Sequence, residues 1–186
     1  MENRDEYMEK VTIGKRERLN GKIVLDEYKP LWPVLFEQEA NRIRDALGNR
    51  AMQIHHVGST AVPGLCAKPI IDILLVVADA SDEVSYVSDL ELLGYTLRIR
   101  EPDWFQHRLL KGPNINLHVF SENTSEVQRM LRFRDWLVKN DADRHKYENE
   151  KRRLSQQTWQ YIQDYADAKT AVIQEIMERA STNTGS

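Results

Sequence analysis

The sequence of 186 residues contains one cysteine, Cys66. No internal disulfide can form, and a reducing compartment fits that usage. No apolar run approaches the length of a membrane span. The charged N-terminus has no secretory signal core, so a cytoplasmic location with no membrane partner is expected, and the Asn123-Thr124-Ser125 sequon carries no weight. There is also no excess of positive charge. Lys+Arg number 26 against Asp+Glu 29, a formal net charge of -3, which gives no electrostatic case for non-specific nucleic-acid binding. Neither an internal repeat nor an interdomain linker stands out. With 41% hydrophobic and 30% charged residues, the chain reads as one globular domain long enough to bury a core.

The residues that carry chemistry gather between positions 54 and 77, I-H-H-V-G-S-T-A-V-P-G-L-C-A-K-P-I-I-D-I-L-L-V-V. The pattern predicts a strand ending at Val57, a turn at Gly58-Ser59-Thr60, a loop bent at Pro63-Gly64, and a second strand over Ile70 to Val77. That second strand is apolar except for Asp72, so it should be central and buried on both faces. A carboxylate there needs a partner, a metal or a shell of hydrogen bonds. A glycine lets the backbone approach a phosphate, and exposed N–H groups with a hydroxyl can cradle the anion. Gly58, Ser59 and Thr60, with Lys68 as a point charge, are therefore candidate phosphate-binding residues. An ordinary strand-ending turn braced by Asp72 is the other reading of the same pattern.

The rest of the chain frames this stretch. Residues 1–22 are charged and read as an arm or tail, with Val11-Thr12-Ile13 as a docking point. Residues 23–182 form a single domain. Ile23 to Leu25 predicts a short strand, and Leu31 to Leu47 a helix whose Phe36, Ala40, Ile43 and Leu47 share a face and which Gly48 stops. A helix over 82–93 follows the Asp72 strand, then strands at 95–100, 104–110 and 115–120. Short turns make these three antiparallel. The last alternates, with Asn116, His118 and Phe120 on one face. Helices at about 124–139, 142–157 and 158–180 close the chain before a tail at Ser181 to Ser186. The fold class is α+β, a mixed sheet flanked by helices with a helical C-terminal part. Lys146-Tyr147 through Lys151-Arg152-Arg153 reads as a solvated helix face or a basic anion-binding face. Arg98, Arg100, His107 and Arg108 are further residues able to meet an anion, and Cys66 has no base beside it in sequence.

H-V-G-S-T-A-V-P-G-L followed by A-K-P-I-I-D-I-L resembles the signature of the GrpB-like family, which is related to the polymerase-beta-like nucleotidyltransferase superfamily. The resemblance extends through Asp26-Glu27-Tyr28, Trp32-Pro33, Leu117-His118-Val119, Phe133-Arg134-Asp135 and Tyr165 to Lys169. It implies a nucleotidyltransferase-like mixed sheet and a Gly58-Ser59 turn that holds the phosphates of a nucleotide. It also implies Asp72 as the catalytic, metal-binding acid, His118 and His56 as further metal ligands, and Lys169 near the cleft. Two-metal nucleotidyl transfer wants acids at both 72 and 74, which share a strand face. Position 74 is Leu74, and Asp79 is too far along to replace it. An aspartate with histidines suits manganese or zinc better than magnesium. The expected function is binding of a nucleotide or phosphorylated small molecule, with metal-dependent nucleotidyl transfer if the protein is an enzyme. The alternative is a non-catalytic phosphate-binding module that has lost the second carboxylate. Some relatives are fused to an enzyme of coenzyme A synthesis, which links that module to coenzyme A metabolism.

Overall fold

The computed structural model describes residues 3–182. In chain order its elements are α1 (Arg4–Val11), β1 (Arg18–Gly21), α2 (Leu31–Leu47), β2 (Gln53–Val57), β3 (Ile71–Val77), α3 (Val87–Leu92), β4 (Thr96–Glu101), β5 (His107–Gly112) and β6 (Ile115–Ser121). The helical part follows as α4 (Ser125–Lys139), α5 (Asp141–Ser155), a short strand β7 (Trp159–Tyr161), α6 (Ile162–Ala168) and α7 (Thr170–Thr182). Five strands make one sheet in the order β2-β3-β6-β5-β4. β3 pairs antiparallel with β2 and parallel with β6, while β5 is antiparallel to both neighbours. This is the expected mixed α+β sheet, and no helix among the described residues is long and apolar enough to cross a membrane.

The alternation of β3 divides the core. Ile71, Ile73, Leu75 and Val77 pack against Trp32, Phe36, Ala40, Ile43 and Leu47 of α2. Their spacing of three and four residues puts these α2 side chains on one stripe. Leu74 and Val76 point the other way, with Val57, Phe120 and Val127, against α4. Full burial of each such side chain stabilises the fold by about 1.5–3 kcal/mol. Helices α4, α5 and α7 close on the loop after β2 through Val62, Leu65, Leu137, Tyr147, Val172 and Ile176.

Several boundaries differ from those expected. The N-terminal arm is folded: Asn3 and Glu6 cap α1 reciprocally, a capping box. Its end docks at the expected place, where the Ile13 N–H donates to the Arg98 carbonyl at 2.8 Å and Thr12 bridges Ile99 of the edge strand β4. The short strand lies at Arg18–Gly21 rather than at Ile23 to Leu25, and it pairs with β7. Ile23 is buried with Leu154 and Tyr165 instead. The expected helix over 158–180 is three elements, because Trp159–Tyr161 extends to meet β1 and the helix restarts after Lys169. The strand expected from Trp104 begins at His107, since Phe105 and Gln106 turn the chain with φ of 53° and 54°. The helix expected over 82–93 is a 3-10 turn at Glu83–Ser85 followed by α3. Of the expected tail, Ser181 and Thr182 belong to α7, and residues 183–186 lie outside the described residues.

Leu74 is fully buried, so an aspartate there puts a charge into an apolar layer. Leu74→Asp is expected to lower stability in urea by more than ~3 kcal/mol, whereas Leu74→Met changes it by less than about 1.5 kcal/mol.

Candidate functional site

The turn after β2 and the carboxylate of β3 are built against each other. Gly58 has φ +70°, and a Cβ on it would stand 2.6 Å from Asp72 Oδ2. Glycine thus answers both a left-handed backbone and a close approach. Asp72 lies opposite Val57 of β2 and Asn116 of β6. The Asn116 Nδ2–H donates to Asp72 Oδ1 at 3.0 Å, and His118 Nε2 lies 3.6 Å from the same oxygen. Burial alone would raise the Asp72 carboxyl. His118, Asn116 and Lys68 outweigh it and hold the group below its ordinary range, so Asp72 is ionised.

Behind His118 runs a hydrogen-bonded series that ends in the N-terminal arm. His118 Nδ1 and His107 Nε2 are 3.1 Å apart, His107 Nδ1 is 2.6 Å from Glu101 Oε2, and the Tyr7 hydroxyl donates to Glu101 Oε1 at 2.6 Å. The donors follow from the network. Glu101 is kept ionised, because His107 and Tyr7 outweigh its burial. It accepts from His107 Nδ1–H. Burial holds His107 below its usual pKa and therefore neutral, so its Nε2 accepts from His118 Nδ1–H. That leaves His118 Nε2 facing the Asp72 carboxylate. Two acceptors face each other unless a proton, or the hydrogen of a ligand hydroxyl, stands between them.

Opposite this pair is a cluster of cations. Lys68, Lys151 and Lys169 line one cavity of about 340 Å³ with Asp72, His118 and the Gly58–Thr60 turn. Lys151 is 3% exposed and donates to the Cys66 carbonyl. Lys169 Nζ sits 3.8 Å above the Tyr165 ring centroid, with Lys68 Nζ 5.9 Å from it. Among the described residues none of the three lysines has a carboxylate ion-pair partner. Burial, with Lys68 and Lys151 close by, pulls the Lys169 ammonium down to about 7, and burial pulls Lys151 to about 8. Lys68 is lowered as well, chiefly by burial. The Tyr165 hydroxyl is buried without a hydrogen-bond partner among the described residues.

Of the residues expected from the sequence, Gly58, Ser59, Thr60, Lys68, Asp72 and His118 come together in this cavity, and so does Lys169. His56 does not. It lies opposite Ile73, on the other sheet face from Asp72, stacks on Phe36 at 4.8 Å and bonds Thr60 Oγ1 at 2.9 Å. Burial drives it down to about 4, so it is a neutral prop for the turn. Arg98 reaches the cavity, whereas Arg100 and Arg108 both pair with Glu83. Residues that sequence reasoning passed over are Glu101 and Tyr7, the hydroxyl of Tyr165, and Lys151 as a buried group. Tyr147, Lys151 and Leu154 are spaced by four and three on α5, a signal that this lysine lies on the buried stripe.

The donor set does not fit a pair of divalent cations. Leu74 occupies the second acid position in an apolar layer. Asp72 Oδ1 already carries Asn116 and His118. Asp79 lies beyond the strand, bonded to Ser81. Among the described residues no group of three or more His, Cys, Asp or Glu side chains could hold a metal ion.

Comparison with known proteins adds the family. The family described as GrpB protein matches residues 22–179. A UPF0157 protein of Halalkalibacterium halodurans is 62% identical over 179 residues, covering 95% of this chain and 92% of that protein. The crystal structure of GrpB from Enterococcus faecalis matches with a TM-score of 0.77 at 33% identity, over 88% of this chain and 100% of that one. A dephospho-CoA kinase of Mycolicibacterium paratuberculosis is 28% identical over 181 residues, 81% of this chain and 44% of that protein.

Because a methyl group at position 58 would meet Asp72 Oδ2 and hold a left-handed φ, Gly58→Ala should destabilise the protein by at least ~2 kcal/mol in urea. A loss under about 0.5 kcal/mol would show that the turn and the carboxylate relax apart freely.

Proposed function

The chain belongs to the GrpB family, and we propose that it binds a phosphate-bearing small molecule, such as a nucleotide, in the cavity between its sheet and its C-terminal helices. The observation that carries this reading is the set of three lysines, Lys68, Lys151 and Lys169, gathered there with no carboxylate ion-paired to them among the described residues. A half-buried ammonium group without an anion is costly. Three in one cavity mark a place prepared for an anion from solution. The Gly58–Thr60 turn contributes backbone N–H groups and the Ser59 hydroxyl, the elements of a phosphate cradle. Arg16, from the arm, also lines the cavity. A volume of about 340 Å³ falls within the range of small-molecule sites. The relative named dephospho-CoA kinase favours including coenzyme A precursors among the ligands tried.

Binding without nucleotidyl transfer is the reading favoured by Leu74, because the two-cation clamp lacks its second acid. A catalytic reading stands second, on a separate observation. His118 Nε2 and Asp72 Oδ1, 3.6 Å apart at the cavity wall, can hold a ligand hydroxyl between them and share its hydrogen. In that reading Asp72 and His118 are the catalytic pair, and the lysines hold the phosphates.

Calorimetry with pyrophosphate, adenosine nucleotides and coenzyme A precursors tests the binding. Lys68→Met and Lys169→Met should each weaken the tightest of these by about 10-fold or more, the loss of a charge-assisted bond. No binding of any phosphate-bearing compound to the wild-type protein would overturn the reading.

A further inference from the structure

We propose that the three lysines replace divalent cations at this site, so that it takes a diphosphate or longer polyphosphate in its metal-free form. This rests on the phosphate reading above and adds which ionic species is bound and by what.

The charges within the cavity decide the class of anion. Glu17, a second carboxylate of the lining, is already held by Lys111 at 3.1 Å, with Arg98 at 3.9 Å. Arg16 is tied to Asp5 at 2.8 Å and lies 3.7 Å over the Tyr161 ring. Asp72 is held by Asn116 and His118, so what remains, among the described residues, without a carboxylate at ion-pair distance is Lys68, Lys151 and Lys169. A phosphate monoester carries about −2 at neutral pH, enough for two ammonium groups, and it would leave the third unpaired. A diphosphate has charge and oxygens for all three. The Tyr165 ring lies beneath two of these ammonium groups and supports them on its face.

The same arrangement disfavours a divalent cation. An ion at Asp72 would be bound by one carboxylate whose Oδ1 already takes the Asn116 N–H. It would also face Lys68, whose ammonium acts on that carboxylate. Like charges facing each other in a partly dry cavity repel more strongly than in water. A magnesium–diphosphate complex brings that cation in with its charge partly spent, so the lysines gain less from it than from the free anion.

Calorimetry with pyrophosphate as the probe, once with a chelator and once with saturating magnesium, tests this. The expected result is binding in chelator that weakens at least 10-fold with magnesium, and pyrophosphate at least 10-fold tighter than inorganic phosphate. Asp72→Asn removes the one negative charge facing the anion and should tighten binding in chelator. Binding that requires magnesium or manganese, or that disappears in Asp72→Asn, overturns the metal-free assignment while the phosphate reading stands. Equal affinity for phosphate and pyrophosphate overturns the diphosphate assignment. No binding of phosphate or pyrophosphate under either condition overturns both.

Discussion

An ionised carboxylate stands in β3, an interior strand of the sheet, and the surrounding elements are fitted to it. Asp72 is 29% exposed at its side chain and flanked by buried Ile71 and Ile73. It keeps its charge because Asn116 and His118 reach it from β6 and Lys68 faces it from the loop. The turn at Gly58 can pass only because it has no side chain. The support continues outward through His107 and Glu101 to Tyr7, so the N-terminal arm belongs to the same network. Removing the carboxylate would take away a negative charge that acts on Lys68 and leave His118 with His107.

The positive charge around Asp72 is larger than one carboxylate can balance. Three ammonium groups come from separate parts of the chain: Lys68 before β3, Lys151 on α5 and Lys169 at the break between α6 and α7. That break is where the strand β7 and its pairing with β1 have set the path of the last two helices. The fold therefore spends stability on holding these groups together, and the anionic ligand proposed for the cavity would return it on binding. The apolar layer around Leu74 shuts the neighbouring space to a second acid. Both features favour recognition of phosphate by lysine over recognition through cations.

Much of this was legible in the residues. The apolar run at 70–77, interrupted only by Asp72, marked β3 as a strand buried on both faces, though it lies beside the edge strand β2 and β6 takes the centre of the sheet; Pro and Gly bracketed α2. The alternation at 115–120 put Asn116 and His118 on one face, and parallel pairing with β3 brought that face to Asp72. The side of the sheet taken by His56 was not legible, because it follows from the register of β2 on β3, where Val57 rather than His56 lies opposite Asp72. The arm was hidden by its charge: α1 buries only Met8 and Val11. β1 and β7 are short and exist by pairing with each other across the chain. Lys151 was obscured by Arg152 and Arg153 beside it, which point outward to Glu148 and Glu150.

The most direct test is the titration of the lysine side chains by NMR in selectively labelled protein, with and without pyrophosphate. The account predicts that Lys169 titrates near 7, far below the ordinary 10.5, and that pyrophosphate raises it. Burial lowers the Lys169 pKa first and the charges of Lys68 and Lys151 add to it, and a bound anion opposes both. Lysines that all titrate near 10.5 and do not move with pyrophosphate would contradict the claim that this cavity is held ready for a phosphate.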